Sequence, residues 1–256
     1  MSTIEQIIKE YVAQSNSRPK KTDCNTNGEV IYTGVITEFQ EKERLALWIH
    51  FLQVAEVKSM VEVGVYRGDF AATILKECDL IEKYYMIDPW RHLDNWNKPA
   101  NMSDDIFEQF LSETKSKTEF AAKKRVILRG KTTEVIDKIP DGGIDFAYID
   151  GDHTLRGITI DLINVFPKVR AGGWIGGDDF TRTIWEHATK FEPTLVFPFA
   201  VYFAEAVNAR IYTLPNAQFL IEKNRTQSFE FIDLTGYYDD ISLRDQFCPD
   251  KILKPL

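Results

Sequence analysis

Ile144-Asp145-Phe146-Ala147-Tyr148-Ile149-Asp150-Gly151-Asp152-His153 is a mostly apolar run that stops on a cluster of acids, a glycine and a histidine. Gly172-Gly173-Trp174-Ile175-Gly176-Gly177-Asp178-Asp179-Phe180 ends in a similar way. Between them, Leu155–Val169 has helical apolar spacing. A short apolar run buried on both faces is what a strand inside a helix-covered parallel sheet requires, and a strand-helix-strand unit sets two such strands side by side. The carboxylates of Asp150, Asp178 and Asp179 are therefore predicted to meet at one edge of the sheet.

Upstream, Met60–Val63, Tyr84–Ile87 and Val126–Leu128 read as further strands, and Phe70–Leu80 as a helix between two of them. This alternation predicts an α/β fold: a Rossmann-like, doubly wound sheet, mostly parallel, with helices on both faces. Ligands in such sheets sit beyond the carboxyl ends of the strands where the winding reverses. Downstream, Arg210–Leu214 and Gln218–Glu222, joined through Pro215-Asn216-Ala217, predict a C-terminal antiparallel hairpin. Phe39–Val57 predicts a helix that lines the core, and Ile4, Ile7, Ile8, Tyr11 and Val12 a short helix followed by a polar linker from Ser15 to Gly28. The chain thus divides into an N-terminal helical cap and linker (1–58), a main domain (59–223) and a polar tail (224–256) packed on the domain or on a partner chain.

The 256 residues are 44% hydrophobic and 27% charged, enough for a full core and against wholesale disorder. The net charge of -8, from 31 basic and 39 acidic residues, argues against binding a nucleic acid backbone. No apolar run reaches the roughly 18–20 residues of a membrane span, and Met1-Ser2-Thr3-Ile4-Glu5 is no signal sequence, so a cytoplasmic protein with no membrane partner is expected. Cys24, Cys78 and Cys248 are odd in number and widely spaced, and read as reduced thiols.

Val61-Glu62-Val63-Gly64-Val65-Tyr66-Arg67-Gly68-Asp69-Phe70 is a strand, a glycine turn and a helix start. Tyr66 stands where a dinucleotide fingerprint needs its second glycine, which favours an uncharged or zwitterionic ligand group over a pyrophosphate, or a plain tight turn. Asp88, 24 residues after Gly64 and followed by Pro89-Trp90, is placed either to accept ribose hydroxyls or to start a turn. Asp150, Asp178 and Asp179 in one small volume would repel one another unless a cation lies between them. Three oxygen ligands suit a hard divalent ion such as Mg²⁺; the alternative is that these residues cap helices or form turns.

Glu62-x-Gly64-x-x-x-Gly68, Asp88-Pro89-Trp90, Ile149-Asp150-Gly151-Asp152-His153 and Gly177-Asp178-Asp179 together resemble the motifs of class I S-adenosylmethionine-dependent methyltransferases. More narrowly, they resemble the metal-dependent O-methyltransferases of macrolide and aminocoumarin sugars. The resemblance runs from about Ser59 to Lys223. It implies that Glu62, Gly64, Tyr66 and Gly68 border the methionine portion of S-adenosylmethionine, that Asp88 holds the ribose, and that Gly130-Lys131-Thr132 approach the adenine. Asp150 also borders the cofactor, and Asp150, Asp178 and Asp179 bind Mg²⁺.

The expected reaction is methyl transfer to a hydroxyl of a small acceptor, of the natural-product sugar or polyol class, with Asp150 and His153 catalytic. Asp150, His153 and His187 all remain candidates for the base. Trp90, Trp96 and Trp185 are candidates for an aromatic wall, or for packing. A metal-independent small-molecule methyltransferase and a nonenzymatic nucleoside-binding module are the alternatives, and a homo-oligomer is open.

Overall fold

The computed structural model describes Gln6 and residues 38–184, 187–188, 190–224 and 228–238. The predicted helix at Ile4–Val12, the linker to Gly28, Trp185, Cys24 and Cys248 lie outside the described residues, Gln6 apart. Cys78 is buried and unbridged.

Helix α1 (Glu38–Val54) leads into strand β1 (Ser59–Val63), followed by α2 (Asp69–Glu77), β2 (Lys83–Asp88), α3 (Asp104–Lys117) and β3 (Arg125–Arg129). The short α4 (Thr132–Val135), β4 (Ile144–Ile149), α5 (Leu155–Val165), β5 (Val169–Gly177) and α6 (Val196–Ala206) continue the winding. The hairpin β6 (Arg210–Leu214) and β7 (Gln218–Glu222) has the bounds expected of it, and β8 (Glu230–Asp233) closes the sheet. The order is β3-β2-β1-β4-β5-β7-β6-β8. Strands β1 to β5 are mutually parallel, and β7 runs antiparallel to both β5 and β6. The winding reverses between β1 and β4.

Alternate residues along the strands feed two cores, the period-two consequence of a pleated strand. Met60, Tyr84, Met86, Phe146 and Tyr148 face one core with Trp48 and Phe51 of α1; Val61, Val63, Tyr85, Ile87, Ala147 and Ile149 face the other. Helix α1 docks because Gly176 of β5 leaves room for it: a Cβ there would stand 2.3 Å from the Trp48 ring. Strand β8 pairs in parallel with β6, and Tyr238 beyond it is buried with its hydroxyl on the Phe180 carbonyl. The folded unit thus extends past residues 59–223 on both sides. Helices α3 and α6, which the sequence reading did not identify, cover the sheet in stretches where no strand motif gives a register.

Candidate functional site

The site lies at the carboxyl ends of β1, β2, β4 and β5. Val63 pairs with Ile149 and Ile149 with Gly177, so the residues that follow, Gly64, Asp150 and Asp178, leave three neighbouring strands at the same level. The Gly64 amide donates to Ile87 O at 2.9 Å and the Asp150 amide to Val63 O at 2.8 Å, which carries the pairing one step beyond the strands. Gly64 has φ +89°, and a Cβ on it would lie 1.9 Å from Asp150 O. Only glycine fits there, because the backbone is left-handed and the β4 loop passes against it.

Asp88 fastens this turn from the side. Its Oδ2 accepts from the Val65 amide at 3.0 Å and the Tyr66 amide at 2.8 Å, and its Oδ1 from the Trp90 amide at 2.8 Å. The structure therefore shows a carboxylate that holds the glycine turn. Trp90, a candidate wall residue, is fully buried with its indole N–H on Tyr66 O at 2.8 Å. It is packing, and it braces the same turn.

Burial pushes the Asp88 carboxyl up to about 6, against the opposing pull of the three amide bonds. In the unfolded chain a carboxyl of this type titrates near about 3.9. The folded protein therefore holds more protons between those values, and stability is lost as pH rises from about 4 through about 6. Asp88→Asn, which cannot ionise, is expected to flatten this dependence by roughly 2–3 kcal/mol. Urea unfolding from pH 4 to 7 checks it; parallel slopes for the two proteins would refute the assignment.

Glu62 is buried, accepts the Tyr84 hydroxyl at 2.7 Å, and sits well above the ordinary carboxylate range, chiefly through burial with added repulsion from Asp150 and Asp88. Gly130 follows β3 with its amide on Asp88 O at 2.9 Å. Lys131 is exposed, its amide donating to Glu134, and the Thr132 hydroxyl donates to the buried Asp161 at 2.5 Å. Burial lifts Asp161 to about 7.

The acidic residues of β4 and β5 converge, with a division of labour that the sequence did not show. His153 receives two of them: its Nδ1 is on the Asp179 carboxylate, and its Nε2 lies 3.4 Å from Asp150 Oδ1. That Nε2 atom is shielded from solvent and makes no well-formed hydrogen bond among the described residues. One ligand atom each from Asp150, His153 and Asp179 falls within 4.8 Å of the others, a spacing that could hold a metal ion. Burial opposes the imidazolium of His153, but Asp179 and Asp150 outweigh it and hold the group well above its usual value.

Asp178 belongs to a different set of contacts. Its Oδ2 is paired with Arg44 of α1, and its Oδ1 accepts from Gln218 Nε2 and from the Asp179 amide at 2.7 Å. Gln218 Oε1 in turn accepts from Trp48 Nε1 at 2.8 Å and the Tyr148 hydroxyl at 2.9 Å. Burial, with repulsion from Asp150 and Asp179, pushes Asp178 up to about 7 despite Arg44. The expected trio of Asp150, Asp178 and Asp179 is thus met by two of its members plus His153, because Arg44 and Gln218 already bind Asp178.

Arg44 and Gln218 are the residues that sequence reasoning missed. A signal for Arg44 was present: it lies three residues before Leu47 and four before Trp48, a cation on the stripe of the helix that faces the core. Around the rim, Trp96 is half-buried with Nε1 on Asp152 Oδ1 at 3.0 Å. Lys98 Nζ donates to Glu192 O at 2.9 Å and Pro193 O at 3.1 Å, which ties the loop after β2 to the segment before α6. His187, in that segment, feels the charges of Lys98, Asp179 and His153, and burial holds it below its usual value.

Residues 61–180, just under half the chain, match a family whose model is described as a methyltransferase domain. No curated protein matches the chain in sequence. Among solved structures, a protein assigned as a caffeoyl-CoA O-methyltransferase from Staphylococcus aureus is similar at 14% identity and TM-score 0.53, over 86% of this chain and 98% of that one. The O-methyltransferase NovP is similar at 13% identity and TM-score 0.52, over 87% and 98%. The methyltransferase PaMTH1 of Podospora anserina, solved with S-adenosylhomocysteine, is similar at 11% identity and TM-score 0.52, over 88% and 89%. At these identities the likeness is one of fold, and it agrees with the strand order and the switch point described above. Residues 61–180 thus match a methyltransferase domain, and the whole described sheet has the fold of the similar methyltransferase structures.

Proposed function

We propose that the domain transfers the methyl group of S-adenosylmethionine to a hydroxyl oxygen of a small acceptor, of the sugar or polyol class, with a divalent ion bound beside it. The observation that carries this reading is the meeting of Asp150, His153 and Asp179 in the loops that follow β4 and β5, next to the Gly64 turn. Two of the similar structures are of proteins described as O-methyltransferases, which favours an oxygen acceptor. A sulfonium donor also suits the electrostatics, because Glu62, Asp150, Asp178 and Asp179 crowd this end of the sheet and a positive ligand relieves their repulsion.

Asp150, His153 and Asp179 would hold the ion, and the shielded Nε2 of His153 is the atom that its coordination would satisfy. The ion would lower the pKa of the acceptor hydroxyl and fix its orientation. Mixed nitrogen and oxygen donors accept Mn²⁺ more readily than an all-oxygen Mg²⁺ site would require, so both ions belong in the test. The protein's own share is alignment. Acceptor oxygen, methyl carbon and sulfur must lie in line, and positioning of this kind supplies several kcal/mol of the barrier, by order of magnitude. With both ring nitrogens of His153 engaged in this arrangement, the base near the proton released from the acceptor is Asp150.

A second reading has its own support. Asp179 anchors His153 Nδ1 and leaves Nε2 to act as an oriented base, the arrangement a metal-independent transfer needs. Removal of metal separates the two. Protein stripped with a chelator is expected to lose at least tenfold of its methyl transfer to a hydroxylated metabolite extract, and to regain it with Mg²⁺ or Mn²⁺. Unchanged turnover after stripping would favour the metal-independent reading.

A further inference from the structure

We propose that Asp161 is a positioning residue of the donor crevice: its buried carboxylate ties the loop after β3 to the loop after β4 and so fixes the seat on which the Gly64 turn packs. The inference rests on the binding of S-adenosylmethionine proposed above and makes no use of the metal. Asp161 lies in α5 and is 6% exposed. The winding puts it there. The crossover from β3 to β4 carries α4 back past β2 and β1, and Val135 of α4 then shares one core with Ile158 and Leu162 of α5. Asp161, beside Leu162, thereby reaches the first turn of α4, where the buried Thr132 donates its hydroxyl to Asp161 Oδ1 at 2.5 Å.

The same carboxylate meets the loop after β4. A Cβ on Gly151 would stand 3.3 Å from Asp161 Oδ2, and the main-chain N–H of Asp152 donates to the Asp161 side chain. Gly151 is also part of what the Gly64 turn rests on, since a Cβ on Gly64 would lie 2.7 Å from Gly151 Cα. Gly157, one turn before Asp161, leaves room for the Asp152 side chain, because a Cβ there would lie 2.1 Å from Asp152 Cγ. Asp152 in turn accepts the Trp96 indole N–H at 3.0 Å, so the loop after β2 joins the same assembly. A buried carboxylate with one donor from each of two loops is a brace: neither loop can shift without leaving a buried polar group unpaired. The two loops stand on opposite sides of the β1–β4 switch point, at the carboxyl ends of the strands, where the ligand of such a sheet sits.

The test is the affinity for S-adenosylhomocysteine, read by calorimetry on the whole chain well below its unfolding temperature, with the folding of each variant checked by circular dichroism. Asp161→Asn keeps both links without the charge: its amide oxygen can accept the Asp152 N–H, and its amide nitrogen can donate to the Thr132 hydroxyl, which is also an acceptor. It is expected to bind within about fivefold of the unmodified protein, whereas Asp161→Ala, which removes both links, is expected to bind more than about fivefold more weakly. A residue needed only for stability would lower the unfolding temperature of Asp161→Ala and leave the affinity of the folded protein within fivefold, and that result would overturn the proposal. So would a loss beyond fivefold in Asp161→Asn, which would trace the effect to the charge of the carboxylate and not to its bonds. If Asp161→Ala fails to fold, Thr132→Val in the Asp161→Asn background decides, because it removes one link with no charge present. An affinity more than about twofold below that of Asp161→Asn supports the brace, and a smaller change overturns it. Failure of the unmodified protein to bind S-adenosylhomocysteine would remove the donor reading and the brace with it; binding by the unmodified protein, with unaltered affinity in Asp161→Ala, would remove the brace alone.

Discussion

Gly64→Ala is expected to unfold or severely destabilise the protein, by about 4 kcal/mol or more, the range reached when a substitution forces backbone against backbone. Two independent costs combine. The residue sits at φ +89°, where a side chain is strained, and the added Cβ would fall 1.9 Å from Asp150 O. No rotamer relieves the clash, because the opposing atom belongs to the main chain and that main chain is tied to Val63 O through the Asp150 amide at 2.8 Å. Relief would require the β1 and β4 loops to separate, and with them the glycine turn from the carboxylate cluster. Thermal unfolding and S-adenosylhomocysteine binding would both register the loss. An alanine variant with wild-type stability would mean that the two loops are not in contact.

The second large effect is on chemistry. Asp150→Asn and His153→Ala are each expected to lower methyl transfer by 10²- to 10⁴-fold, the usual range for losing a group that moves or orients a reacting proton. Folding should survive in both, since Asp150 and His153 are partly exposed at the end of the sheet and carry none of the core. S-adenosylhomocysteine binding should also survive. Single-turnover assays with saturating cofactor separate a chemical defect from a binding defect. Wild-type turnover in both variants would place the reaction elsewhere.

The residues that declare themselves in the sequence are those with a strong local pattern. Strand β4 has the bounds that its apolar run predicts, as do β6 and β7, because a short run stopped by charged or turn residues leaves little freedom. Strand β5 starts at Val169, earlier than the Trp174-Ile175 run suggests, since Arg170, Ala171, Gly172 and Gly173 form an irregularity between the Val169–Ile144 and Trp174–Phe146 pairs and give no alternating signal. Strand β8 was read as tail: four residues are too few to show alternation, and its place is fixed by β6. Helices α3 and α6 lie in segments without motifs.

The site was legible to the level of the backbone and no further. Parallel register alone brings Asp150 and Asp178 to one level, so their convergence follows from the two strands. Which carboxylate meets which partner depends on Arg44 and Gln218, 134 and 40 residues away from Asp178, and no local spacing encodes such contacts. Asp88 shows the same limit. At the end of β2 its sequence position leaves a ribose contact and a turn both open, and the contacts it makes, to the Val65, Tyr66 and Trp90 amides, are set by the fold. Trp90 was ambiguous for a related reason, because burial of an aromatic ring is decided by neighbours from α1 to β4 that the sequence places far away.

Among the described residues no helix is long and apolar enough to cross a membrane. The donor is expected to enter the crevice between the Gly64 turn and the Asp150 loop. Calorimetric titration of the whole chain with S-adenosylhomocysteine measures this directly. Saturable one-site binding with a dissociation constant of tens of micromolar or tighter is the predicted result, and the absence of any heat of binding at several hundred micromolar would contradict it.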